Sequence, residues 1–259
     1  MRDLTVALVQ ADLVWENPRA NLAAMDTWLA AVENDPDIVI LPEMFTTGFT
    51  MNAGKLAQTM HGKSVSRLRQ AARKTSRHIL GSLIITEAGR YYNRLVWACP
   101  DGRIFTYDKR HLFRMMEEHR VYSPGNHRMT VDVDGWRIRP FICYDLRFPI
   151  WTRNLDNAYD VAVFIANWPA RRAFHWKSLL LARAIENQCY VIGVNRVGMD
   201  GNGLEFSGDS AVIDPSGIHL FQQSHSPCIH THTLSHRGLV EYREAFPAYL
   251  DADVTIGPD

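Results

Sequence analysis

The sequence carries no excess of either charge. Its 259 residues hold 28 lysines and arginines against 28 aspartates and glutamates. No basic face of the kind that tracks a nucleic-acid backbone or an anionic membrane is therefore expected. No apolar run approaches the roughly 18 residues needed to cross a bilayer. The opening MRDLTVALVQ reads as a strand, not as a signal peptide. Cysteine is scarce: Cys99, Cys143, Cys189 and Cys228 are scattered, with no CxxC pair. That excludes a disulfide framework and points to reduced thiols in a cytosolic protein. Familiar signatures are missing too. HGKS lacks the glycine of a phosphate loop, because position 57 is Ala57, and FSGDS is not the G-x-S-x-G elbow of serine hydrolases. No linker rich in Pro, Gly or Ser and no internal repeat divides the chain. One domain over 1–259 is expected, with a short peripheral tail from about 240.

What the chain does have is apolar material, 46% of residues, with an ordinary 22% charged. Short apolar runs alternate with helical patterns. TVALVQ, DIVILPE, HILGSLIIT, VAVFIANWP and CYVIGVNRVG read as buried strands. YYNRLVWACPDGRIFTYDKRHL and MTVDVDGWRIRPFICYD read as strand pairs turning at Asp101-Gly102 and Asp134-Gly135. NPRANLAAMDTWLAAVEN, SVSRLRQAARKTS and HWKSLLLARAIENQ read as helices. An α/β fold of two sheets flanked by helices would bury such strands on both faces.

Three apolar runs lead at once into a reactive polar residue. IVILPEMF reaches Glu43, IFTYDKRHLF reaches Lys109, and RPFICYD reaches Cys143. A glutamate or lysine at a strand end is ordinarily a solvated terminus. Together, however, these three are complementary. A thiol attacks as the thiolate, which a neighbouring cation favours. Lys109 supplies a cation for the thiolate and for the oxyanion formed on attack. Glu43 supplies a base. A nucleophile, a base and an oxyanion donor make an acyl-transfer site. The other three cysteines read as packing residues (Cys99 and Cys189 in apolar strands) or as an unassisted thiol in a polar loop (Cys228).

The order Glu43, Lys109, Cys143, set in LPE, YDKRHLF, CYDLRFP and ARAIENQ, resembles the nitrilase, or carbon–nitrogen hydrolase, superfamily. The resemblance runs from ALVQ to about DPSG. It implies an α-β-β-α sandwich, a tendency to form homodimers, and no metal or organic cofactor. It also implies a fourth site residue, a glutamate five residues before the Ser-Pro-Gly turn, where EHRVYSPG puts Glu118. Spacing alone does not separate Glu118 from Glu117. The backbone N–H of Tyr144 would join Lys109 in holding the oxyanion. PEMFTTGFTMN and ANWPARRAFHW are similar to the ω-amidase-like branch. That branch implies a small-molecule substrate, the terminal amide of a 2-oxo acid such as 2-oxoglutaramate or 2-oxosuccinamate. Other small amides, nitriles and carbamoyl compounds stay open as alternatives.

Such a substrate carries a carboxylate, and arginine's planar fork suits one. Arg172, three residues before His-Trp, fits the branch pattern; Arg171 and Arg147 are the other candidates. For Arg147 a structural ion pair with a local carboxylate is the expectation. Arg114 is expected to be exposed. Trp168 and Trp176 read as packing residues or pocket walls. A competing class is a metal hydrolase built on His230, His232 and His236 of HTHTLSH, but neither HExxH nor a paired carboxylate motif accompanies them.

Overall fold

The computed structural model of the chain describes residues 1–253. It contains two sheets. The strands in chain order are β1 (Leu4–Gln10), β2 (Ile38–Ile40), β3 (His78–Glu87), β4 (Arg90–Ala98), β5 (Ile104–Asp108), β6 (Val131–Val133), β7 (Trp136–Ile142), β8 (Val161–Ala166), β9 (Tyr190–Asn195), β10 (Val197–Met199), β11 (Glu205–Ile213), β12 (His219–Ser224) and β13 (Cys228–Leu234). The first sheet runs β13-β1-β2-β3-β4-β5 and the second β10-β11-β9-β8-β7-β6, with β12 on β11. The centre of each is parallel: β1, β2 and β3 in one, β7, β8 and β9 in the other. Strands buried on both faces explain the unbroken apolar runs.

Side-chain alternation assigns the layers. Val161, Val163 and Ile165 of β8 join Val6, Leu8, Ile38 and Ile40 of the first sheet in one core between the sheets. Ala162, Phe164 and Ala166 face the other way, onto Trp176, Leu180 and Ala184 of the Ala173–Asn187 helix. Ala7, Val9 and Val39 face Leu22, Met25 and Leu29 of the Pro18–Ala30 helix and Leu68 of the Lys63–Thr75 helix. The result is the expected α-β-β-α sandwich. Among the described residues no helix is long and apolar enough to cross a membrane.

Two details depart from the expectations. Cys228 does not sit in a polar loop: it opens β13, pairs with Gln10 and packs half-buried against the inter-sheet core. CYVIGVNRVG is not one strand but two, broken at Arg196, with β9 on β8 and β10 on β11. Where the peripheral tail is expected to begin, from about 240, the His236–Ala245 helix is tied to the core. Arg243 is 9% exposed and donates to Asp160 Oδ1 (2.8 Å), Tyr159 O (2.9 Å) and Gln188 O (2.9 Å).

Arg243→Ala would take the donor from buried Gln188 O, leave Tyr159 O with Asn154 Nδ2 alone, and leave Asp160 with Arg137 alone. The expected cost is roughly 2–4 kcal/mol, a fall in Tm of about 5–15 °C for a chain of this size. Arg237→Ala, removing a side chain 87% exposed, is the control in the same thermal melt and should change little. Equal, small shifts for both would show the helix to be peripheral after all.

Candidate active site

The three residues expected at strand ends lie just past strands. Lys109 and Cys143 directly follow β5 and β7, and Glu43 lies three residues beyond β2. The sandwich brings them together from both sheets. Lys109 Nζ donates to Glu43 Oε1 at 2.8 Å and to Glu118 at 3.0 Å, and all three side chains are fully buried. The structure separates the two glutamates that spacing could not. Glu118 faces Lys109, while exposed Glu117 pairs with Arg120 at 2.9 Å.

Each ion is held by further partners. Asn93, in the middle of β4, donates Nδ2 to Glu43 Oε1 at 2.7 Å, and its Oδ1 accepts from Ser82 Oγ at 2.8 Å. The backbone N–H of Asn167 donates to Glu43 Oε2 at 2.8 Å, and that of Phe113 to Glu118 Oε2 at 2.6 Å. Gly125 of the Ser-Pro-Gly turn donates its N–H to Lys109 O at 3.0 Å. A Cβ there would lie 2.2 Å from Asp108 O, so only glycine lets this turn seat against the lysine's backbone.

Cys143 itself has φ +45°, a left-handed conformation that costs a non-glycine residue energy. Asp145 holds it there. The fully buried Asp145 carboxylate accepts from Ile142 N (3.1 Å), Tyr107 Oη (2.7 Å), His111 N (2.9 Å) and His111 Nδ1 (2.8 Å). The turn over Cys143–Arg147 is therefore pinned from three sides.

The charges are coupled. Burial opposes the Lys109 ammonium, but Glu118 and Glu43 outweigh it and hold the lysine above its usual range. Burial raises Glu118; Lys109 opposes that rise and Glu43 adds to it. Burial, and then the Glu43 charge, push the Cys143 thiol well above the usual thiol range against the pull of Lys109. The resting nucleophile is thus a neutral thiol.

Above these groups opens a narrow pocket with Cys143, Lys109 and Asn167 among its lining residues. Its walls are largely apolar and include Phe49, Phe113, Trp168, Leu204 and Phe206. Arg147 and Arg172 also line it.

Residues 5–243 match the family model described as carbon–nitrogen hydrolase. The chain belongs to the carbon–nitrogen hydrolase family. It is 47% identical over 256 residues, 98% of each chain, to the omega-amidase YafV of Escherichia coli (strain B / BL21-DE3). It is 35% identical to the 2-oxoglutaramate amidase of Bacillus subtilis (strain 168), covering 95% of this chain and 96% of that one. The crystal structure of XC1258 from Xanthomonas campestris, a CN-hydrolase superfamily protein with an arsenic adduct in its active site, has a TM-score of 0.97 over 100% of both chains at 43% identity.

For a carbon–nitrogen hydrolase, the arginines of this pocket fall differently from expectation. Among the described residues Arg147 has no carboxylate partner. Its guanidinium lies over the Trp168 ring at 4.8 Å, with Nη2 3.0 Å from His175 Nδ1. The Arg172 guanidinium lies over Phe113 at 5.2 Å and, among the described residues, its one hydrogen-bond contact is the Met115 sulfur, at 3.7 Å. Burial lowers its pKa, and Arg171 and Arg147 lower it further. Arg171 is exposed and does not line the pocket. It shares a 3-10 turn with Arg172, in which successive side chains point about 120° apart. Arg114 is exposed, as expected. Trp168 lines the pocket, whereas Trp176 is buried behind it in the helix core.

The three histidines of HTHTLSH do not meet at one point: His230 and His232 are neighbours, ring centroids 5.8 Å apart, and His236 packs elsewhere. His230 stacks on Phe221 at 3.6 Å, and His236 meets Trp136 edge-on. Among the described residues no group of three or more His, Cys, Asp or Glu is placed to hold a metal. Sequence reasoning missed Asn93, Asn167 and Asp145 as parts of the site. Asn167 directly follows β8 as Cys143 follows β7, so the strand-end rule extended to amides would have found it.

The thiolate absorbance assigned to Cys143 by difference from Cys143→Ala should appear only above pH 9. Glu43→Gln should move that step downward, since the Glu43 charge holds it up. A step already complete at neutral pH in the unaltered protein would contradict the neutral thiol.

Proposed function

We propose that this chain is an amidase that hydrolyses the terminal amide of small 2-oxo-acid amides, such as 2-oxoglutaramate and 2-oxosuccinamate. The products are the dicarboxylate and ammonia, formed through a thioester on Cys143. The omega-amidase and 2-oxoglutaramate amidase relatives support the reaction class. The observation that carries the substrate reading is the pair of half-buried guanidiniums, Arg147 and Arg172, which line a largely apolar pocket and, among the described residues, pair with no carboxylate. A guanidinium without a counter-charge on such a wall favours an anionic ligand.

The roles follow from the geometry. Glu43 takes the thiol proton as the Cys143 sulfur bonds to the amide carbon. The proton moves within one buried cluster, so no new net charge is created there. Lys109 has three donors and spends two on Glu43 and Glu118, which leaves one for the oxyanion. The N–H of Tyr144 is the second donor, in the first turn of a 3-10 helix where no intrahelical acceptor is available. Glu43 returns the proton to nitrogen, the C–N bond breaks and ammonia leaves. Water then gives a proton to Glu43 and attacks the thioester carbon. The C–S bond breaks, the carboxylate leaves, and the sulfur regains its proton. Glu118 orients Lys109 throughout.

Cys143→Ala should abolish ammonia release while the fold stays intact. Lys109→Ala should cost about 10²–10³ in rate or more, the size of a lost oxyanion donor. Appreciable turnover by Cys143→Ala would end the thioester reading.

Substrate choice is tested separately. Arg172→Ala should raise KM roughly ten- to a hundredfold for carboxylate-bearing amides, by loss of a charge-assisted hydrogen bond. A short neutral amide should be spared. The same change for both substrates would move the anchor to Arg147.

A further inference from the structure

Asn167 is 4% exposed and lines the pocket beside Cys143 and Lys109. Its backbone N–H and its side-chain Nδ2 are both spent on one residue. Its N–H donates to Glu43 Oε2 at 2.8 Å, and its Nδ2 donates to Glu43 O. The remaining side-chain atom, Oδ1, is buried and has no partner among the described residues. A buried acceptor left unpaired is costly and uncommon. The orientation is not free to relieve it, because turning the amide over would set Oδ1 against the Glu43 carbonyl oxygen.

Its placement is fixed. Ile142 pairs with Ile165, so Cys143 and Ala166 are level on adjacent parallel strands and Asn167 lies one residue beyond. The chain that follows is pinned by Asn195, whose Oδ1 accepts from Trp168 N at 2.8 Å and whose Nδ2 donates to Trp168 O at 3.0 Å. Asn167 Oδ1 is thus held rigidly with respect to both the nucleophile and the carboxylate that exchanges its proton.

We propose that Asn167 Oδ1 is the acceptor for an N–H of the scissile carboxamide, making Asn167 the residue that selects an amide over an ester. This rests on the amidase reading above. A carboxamide nitrogen carries two N–H donors, and the oxygen of an ester leaving group carries none. In the tetrahedral intermediate the nitrogen lone pair is no longer shared with the carbonyl, and Glu43 must deliver its proton there before the C–N bond breaks and ammonia departs. An N–H held by Oδ1 turns that lone pair toward Glu43, because the same residue grips Glu43 through two hydrogen bonds. An alkoxide leaving group needs no such orientation.

The test compares a 2-oxo-acid amide with the methyl ester of the same acid, on the unaltered enzyme and on Asn167→Ala. A residue that merely held Glu43 in place would slow both substrates alike, since Glu43 serves both. An acceptor for the amide should lower kcat/KM for the amide about tenfold or more beyond any loss on the ester. Equal losses, or no loss on either, would overturn the proposal. Should Asn167→Ala fail to fold, a crystal structure of Cys143→Ala with the amide bound decides the matter. The carboxamide nitrogen should lie within hydrogen-bonding distance of Asn167 Oδ1, and a nitrogen pointing elsewhere overturns the inference. Absence of any amide turnover by the unaltered enzyme would instead sink the amidase reading.

Discussion

The site depends on one ammonium group. Lys109 sits in the interior between two carboxylates, and none of the three side chains reaches water. Each of these ions alone would be strongly disfavoured there. Together they are tolerable only because the geometry is good and nearly every remaining polar atom is matched. Asn93, the Asn167 amide and the Phe113 amide supply those matches. The constraint spreads outward. Glu43 keeps its place only if β2 and β3 keep their register, Lys109 only if the Gly125 turn closes on it, and Glu118 only if the segment from Phe113 folds back.

The cluster also sets the chemistry of the thiol. A cysteine beside a lysine would ordinarily lean toward the thiolate. Here burial and the Glu43 charge win, and the thiol stays neutral. Nucleophile and base therefore act as one unit, with the proton passing between them only when attack begins. The strained backbone of Cys143 belongs to the same design. Asp145 accepts four hydrogen bonds beneath it, which stabilises a conformation the residue would not adopt alone.

The pocket reverses this arrangement. At its base every charge has a counter-charge. On its walls Arg147 and Arg172 rest on aromatic rings and, among the described residues, have none. A site saturated at the reacting end and unsatisfied at the other asks its ligand to bring the missing anion. The same reasoning applies at smaller scale to Asn167 Oδ1, an acceptor awaiting a donor.

The sequence by itself determined the layers and the catalytic trio. Continuous apolar runs told of strands buried on both faces, and helical periodicity told of the flanking helices. Glu43, Lys109 and Cys143 were legible because each ends such a run and their chemistries interlock. Their surroundings were not. Glu117 and Glu118 are adjacent and alike in sequence, and only the αL turn at Glu117 sends one to solvent and the other to Lys109. Asn93 and Asp145 look like ordinary polar residues until strand pairing carries them under the site from elsewhere in the chain. The arginines went astray for the same reason. Arg171 and Arg172 differ by one step of a tight turn, and the ion pair expected for Arg147 required a carboxylate that the fold does not bring near. Local periodicity records which residues are buried. Which buried residues meet is set by register and loop closure over more than a hundred residues, as between Glu43 and Asn167, and no short stretch of sequence contains that information.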